Sequence, residues 1–166
     1  ERYFTNGEKM ELTDAIAEGL MKTVMKNALK LQYEPGDYNA RAEVMWASSL
    51  SHNGLTGCGN EKDDFASHKL EHELGGMYDV AHGAGLAAVW GSWARYCMND
   101  CLHRFVKFAR DVMEVDLGVE SSSQEIALAG IVAMEDFFKS IKMPVSITEL
   151  GVTPSDDDLR LMAKRC

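Results

Sequence analysis

Three of the five histidines fall within fifteen residues, in the string His68-Lys69-Leu70-Glu71-His72-Glu73-Leu74-Gly75-Gly76-Met77-Tyr78-Asp79-Val80-Ala81-His82-Gly83. Imidazole binds divalent metals through a neutral ring nitrogen and titrates near neutral pH, so such crowding suits either an ion site or proton transfer. His68 and His72 are four residues apart and share one face of a helix. A turn at Gly75-Gly76 would bring His82 back toward that face, so three imidazoles could converge on one ion. The bland reading is a solvated polar helix with incidental histidines. A His pair at i, i+4 leaves that reading at even odds, and the third histidine and the glycine turn weigh against it.

Read literally, His68-x-x-Glu71-His72 also matches the inverted zinc-protease motif, in which two histidines bind zinc and the glutamate activates water. That chemistry needs a further acidic ligand downstream and a substrate cleft, and the sequence identifies neither. The ordinary protease order is excluded because Lys69 stands where its glutamate belongs. Gly83-Ala84-Gly85 resembles part of a phosphate loop, but it follows no expected strand and reads as helix packing. Cys97 and Cys101 share a helix face and read as interface thiols rather than ligands. His52 and His103 have no ligand-type neighbours in sequence and read as hydrogen-bonded structural histidines.

Helices must position these residues, because apolar residues recur at three- and four-residue intervals and no run alternates apolar with polar. The expected fold class is all-α. A first helix starts near Thr13 or Asp14, good cap residues, and runs to about 31 with Ile16, Leu20, Val24 and Ala28 on one face. Pro35-Gly36 ends that stretch, and a second helix over about 37–51 presents Ala42, Met45, Trp46 and Leu50. The third, about 63–74, is short and polar and is closed by Gly75-Gly76. A fourth follows over about 83–98, and a fifth, capped by Asn99 or Asp100, buries Leu102, Phe105, Phe108 or Ala109 and Met113 before stopping near 116–118. Ser121 to Ser123 open a sixth, whose stripe of Ile126, Ile131, Met134, Phe137, Phe138 and Ile141 ends at Pro144. The last covers about 155–164, with Asp156, Asp157 and Asp158 at the positive end of its dipole.

Composition narrows the function classes. The chain has 166 residues, enough for one sizeable core, and is expected to form a single domain. Its formal charge of −9 would repel a phosphate backbone, which argues against a nucleic-acid partner. No stretch approaches the length of a bilayer-spanning helix, so no membrane partner is expected. Four cysteines without a CxxC pair suggest reduced thiols and a cytoplasmic setting. The ten methionines read as core filling.

Two longer strings carry a resemblance. Asp64-Phe65-Ala66-Ser67-His68-x-x-Glu71-His72-Glu73-Leu74, followed by Tyr78-Asp79-Val80-Ala81-His82-Gly83-Ala84-Gly85-Leu86-Ala87, closely resembles the signature of iron-containing (group III) alcohol dehydrogenases. It looks most like the NADPH-dependent butanol dehydrogenase branch. Supporting pieces are Glu1-Arg2-Tyr3-Phe4-Thr5, Glu11-Leu12-Thr13-Asp14, Ala40-Arg41-Ala42-Glu43-Val44-Met45-Trp46-Ala47, Met143-Pro144 and Glu149-Leu150-Gly151.

The resemblance implies that residues 1–166 are the all-α C-terminal domain of a two-domain, dehydroquinate synthase-like fold. It implies one divalent ion, iron with zinc as an alternative, held by an aspartate and three histidines, of which the last two are His68 and His82. It makes His72 a catalytic neighbour of the nicotinamide and substrate rather than a ligand, whereas spacing alone would pair His68 with His72. The aspartate and the first histidine belong seven and three residues ahead of Glu1, so this chain carries half the metal shell. The nicotinamide-binding N-terminal domain, a partner the resemblance requires, lies outside it, as does the family's last helix. The expectation is therefore a fragment, inactive alone, of an enzyme that interconverts small aldehydes and primary alcohols with NADPH or NADH, with a homodimer left open. Two other classes stay on the table: the HxxEH zinc metalloprotease and a non-catalytic helical binding module.

Overall fold

The computed structural model describes residues 1–5, 7, 9–60 and 64–166. Its elements are α1 (Arg2–Thr5), α2 (Glu11–Tyr33), α3 (Tyr38–His52), a short 3₁₀ turn at Leu55–Gly57, α4 (Ala66–Tyr78), α5 (His82–Cys97), α6 (Leu102–Asp111), α7 (Ser123–Ser140) and α8 (Asp156–Arg165). No strand occurs among the described residues, so the all-α expectation holds. No helix among the described residues is long and apolar enough to cross a membrane.

The core is aromatic and draws on elements far apart in sequence. Phe4 from α1 stacks on Phe105 of α6 with centroids 4.3 Å apart and meets Trp93 of α5 edge-on at 5.7 Å. Phe105, Phe108, Ala109, Ala127 and Ile131 are fully buried where α6 and α7 pack together. Gly130 makes that packing close, because a Cβ there would lie 2.6 Å from the Ala109 Cβ. These contacts lock α5, the second element of the histidine string, against the rest of the bundle.

Helix ends differ from expectation for identifiable reasons. Asp14 lies inside α2 rather than capping it, since α2 begins at Glu11. Its carboxylate is buried and accepts both Arg104 nitrogens, at 2.7 and 2.6 Å, while Arg104 Nε donates to the Tyr3 carbonyl at 2.8 Å. On α3, capped by Asp37, the buried stripe is Ala40 and Ala47. Met45 and Trp46 of the expected face are exposed. The fifth helix stops at Asp111 because Glu114 takes a left-handed turn at φ 55°. Ser122 and Ser155 cap α7 and α8 with reciprocal boxes formed by Glu125 and Asp158.

The largest correction concerns the histidine helix. Its expected start at residue 63 lies outside the described residues. Its expected end at Gly75-Gly76 is overturned, because α4 runs through both glycines to Tyr78 and closes on Asp79 at φ 51°. Gly75 serves space rather than termination, since a Cβ there would sit 3.1 Å from the Glu71 Oε1, whereas a Cβ on Gly76 would meet nothing within 4 Å. The return that brings His82 back is the Asp79–Ala81 link, and His82 opens α5.

Candidate metal centre

The N-terminus of α4 points four backbone N–H groups outward without partners of their own. Asp64 accepts from the Ala66 N–H at 2.8 Å. Glu1, more than sixty residues away in sequence, accepts from the Ser67 N–H at 2.7 Å, from the His68 N–H at 3.2 Å and from the Ser67 hydroxyl. Its other oxygen faces His68 Nδ1 in a close hydrogen bond. One carboxylate thus caps the helix and orients the first histidine. Burial works to raise the Glu1 carboxyl, but the hydrogen bonds to Ser67 and His68 work to lower it, and the group lies below the ordinary carboxylate range.

His82 repeats the arrangement. Its Nδ1 meets the Glu71 Oε2 in a close hydrogen bond, and Glu71 is only 2% exposed. A carboxylate can only accept, so in both pairs Nδ1 carries the proton, and a neutral ring would keep its lone pair on Nε2. The carboxylates are buried, whereas the side chains of His68 and His82 are 36% and 54% exposed. Each ring is therefore anchored from behind and open in front.

All three histidines of the string come together. Ring centroids are 5.5 Å apart for His68 and His82, 5.5 Å for His72 and His82, and 6.2 Å for His68 and His72. A metal–nitrogen bond of about 2.1 Å puts a ring centroid about 3.2 Å from the ion, so two imidazoles at tetrahedral angles have centroids about 5.2 Å apart. Both pairs that include His82 fit that spacing. The pair expected from i, i+4 spacing is the widest and would need an angle of about 150°. The donor set, neutral nitrogens with carboxylates behind or beside them, suits a borderline divalent ion such as iron or zinc. Ligand-type atoms of Glu71, His72 and His82 also lie within 4.8 Å of one another.

His72 is exposed, and its ring makes no hydrogen bond among the described residues, only ring contacts to His68 and His82. His52 bonds within its own helix, to Ser48, and lines with His68 and Phe65 a cavity of about 330 Å³ beside the histidines. Cys97 and Cys101 are half-buried free thiols, and burial raises both, Cys101 to about 11, which disfavours a thiolate ligand. Sequence reasoning missed two residues, Glu1 and the supporting role of Glu71. A glutamate on the apolar side of a polar helix, opposite Gly85, was the available signal for the second.

Comparison with known proteins bears on the same residues. The family model described as Fe-containing alcohol dehydrogenase family, C-terminal, matches residues 1–166. NADH-dependent butanol dehydrogenase A of Clostridium acetobutylicum is 37% identical over 166 residues, covering 99% of this chain and 41% of that protein. NADPH-dependent aldehyde reductase YqhD of Escherichia coli is 31% identical over 155 residues, covering 93% of this chain and 39% of that protein. Among solved structures, the substrate- and cofactor-free form of YqhD superposes with a TM-score of 0.88 at 30% identity, covering 99% of this chain and 43% of that chain. NADH-dependent butanol dehydrogenase A of Thermotoga maritima gives 0.88 at 32% identity, covering 99% of this chain and 40% of its own length. The chain thus spans about two fifths of the length of the curated relatives it matches.

Proposed function

The chain belongs to the Fe-containing alcohol dehydrogenase family, and from that premise we propose that it is the metal-binding helical domain of a longer, cytoplasmic enzyme that interconverts primary alcohols and aldehydes with NADH or NADPH. The observation that carries the reading is the pair of carboxylate-backed histidines, His68 on Glu1 and His82 on Glu71. Metal-bound histidines characteristically donate their second ring nitrogen to such a carboxylate.

His68 and His82 hold the ion in this reading. Their 5.5 Å separation suits a shared ion, and their Nε2 lone pairs are free. An aspartate and a histidine from the segment ahead of Glu1 complete the shell. A divalent ion held there would supply Lewis acidity toward the substrate oxygen, and a bound nicotinamide would supply or take the hydride. His72 stands beside the pair, exposed and unanchored, where it would take or give the proton of the alcohol hydroxyl. Glu71 cannot serve as the water-activating base of a protease, because its carboxylate is buried against His82.

The test is oxidation of NADH or NADPH by the longer protein on butanal, after loading with Fe²⁺ and, separately, with Zn²⁺. Aldehyde-dependent oxidation that disappears in His82→Ala supports the reading. Activity unchanged in His82→Ala, or peptide hydrolysis by the zinc-loaded protein that is lost in Glu71→Gln, overturns it.

A further inference from the structure

The buried carboxylate of Glu71 has a purpose-shaped berth. It lies at the α4–α5 crossing, and the two glycines on either side leave the room it occupies. A Cβ on Gly85 would lie 2.8 Å from both the Glu71 Cγ and Oε1, and one on Gly75 would lie 3.1 Å from that same oxygen. Nearly complete burial of a carboxylate is costly unless the group is paired, and Glu71 is paired with His82 Nδ1. The first turn of α5, with its positive dipole end, adjoins the same spot. Gly75 costs α4 helical propensity, and Gly85 does the same to α5, so both helices give up stability around this one side chain.

We infer that Glu71 is a positioning residue for the ion site: it fixes His82 in the tautomer and ring orientation that present Nε2, and Gly85 is glycine because this carboxylate needs the space. Glu71 does not ligate the ion and touches neither substrate nor nicotinamide. The inference rests on His82 being a ligand, as proposed above, and adds a residue pair that controls how tightly the ion is held. Glu1 plays the matching part behind His68, but it also caps α4, so Glu71 is the cleaner member to test.

The experiment is titration of the metal-free longer protein with Co²⁺, reading both the dissociation constant and the visible d–d spectrum, with circular dichroism to confirm folding. Loss of a partner behind a ligating histidine costs about 10- to 100-fold in metal affinity. Glu71→Ala is expected to weaken Co²⁺ binding by that factor and to shift the d–d bands. Glu71→Gln keeps an acceptor oxygen in the berth and should recover most of the affinity. Gly85→Ala, which displaces the carboxylate, should weaken binding as Glu71→Ala does. The double variant Glu71→Ala/Gly85→Ala should be no weaker than Glu71→Ala alone, because both changes remove one interaction.

Affinity within twofold of the parent in a folded Glu71→Ala protein overturns the inference, as do single effects that multiply in the double variant. A loss beyond about a thousandfold in Glu71→Gln would make Glu71 a ligand and overturn it equally. His82→Ala separates the two levels of the argument. If it abolishes Co²⁺ binding while Glu71→Ala does not weaken it, the positioning role fails and the metal-site reading survives. If His82→Ala binds Co²⁺ like the parent, the reading of the site fails and the positioning role falls with it.

Discussion

Replacing Asp14 by alanine should be among the most damaging single changes in the chain. Both oxygens of this buried carboxylate accept from Arg104, at 2.7 and 2.6 Å, and the guanidinium also lies over the Tyr3 ring at 4.4 Å. Side-chain exposures are 4% for Arg104 and 5% for Asp14, so the cation left behind would have little water to turn to. Breaking such a pair by removing one partner costs about 3–5 kcal/mol. Set against a total stability of about 5–15 kcal/mol, that is a large fraction, and at about 2–4 °C per kcal/mol it lowers Tm by about 10 °C. The assay is urea unfolding followed by far-ultraviolet circular dichroism, with thermal melts alongside. The paired exchange Asp14→Leu with Arg104→Met removes both charges and should be at least about 2 kcal/mol more stable than Asp14→Ala. A cost below about 1 kcal/mol for Asp14→Ala, the range of exposed ion pairs, would refute the claim that this contact ties α1 and α2 to α6.

Glycine substitutions should have opposite signs at two sites. Gly130→Ala forces a Cβ to within 2.8 Å of the Ala109 backbone and should cost about 1–3 kcal/mol, more than its helical gain, whereas Gly19→Ala on open α2 surface should stabilise by about 0.5–1 kcal/mol in the same urea assay. The cap of α7 should show in acid. The Ser122 backbone N–H, and with it the Ser122 hydroxyl, holds the Glu125 carboxyl below its ordinary value, so its stabilisation is present above the ordinary carboxylate range and fades as pH falls through the lowered one. Glu125→Gln should therefore flatten the acid limb of the melting-temperature profile, and a profile unchanged by the substitution would contradict the cap's role. Thiol labelling at pH 8 should modify exposed Cys58 and Cys166 first, with Cys101, pushed up to about 11, slower by about a hundredfold.

Much of the fold was legible because it rests on local signals. Helical periodicity placed the helices from α2 to α8 to within a few residues, except the end of α6, which stops at Asp111 rather than near 116–118, and the serines that open α7 were read from type and position alone. The errors fall where tertiary contacts override local preference. Gly75-Gly76 has the composition of a helix end, yet α4 continues through it to a left-handed turn at Asp79, and Gly75 makes room for the Glu71 carboxylate instead. Asp14 has the type of a cap, yet Arg104, ninety residues on, claims its carboxylate.

The candidate site was half legible. The histidines are crowded in sequence and crowded in space, so spacing found all three. Which of them pair depends on what stands behind each ring, and those partners come from opposite ends of the sequence distance scale. Glu71 lies one residue from His72 but serves His82, and Glu1 reaches His68 across sixty-seven positions. No periodicity argument reports such a contact. The missing negative charge of the shell, assigned to a segment ahead of Glu1, is a matter of family resemblance alone.

The central claim, that His68 and His82 hold the ion while His72 serves the reaction, is tested most directly by metal content and turnover measured together on three variants of the longer protein. Loaded with Fe²⁺ and desalted, His68→Ala and His82→Ala should retain little bound metal, whereas His72→Ala should keep the parent's metal content and lose turnover. Full metal content in both His68→Ala and His82→Ala, or metal lost only in His72→Ala, would contradict the assignment.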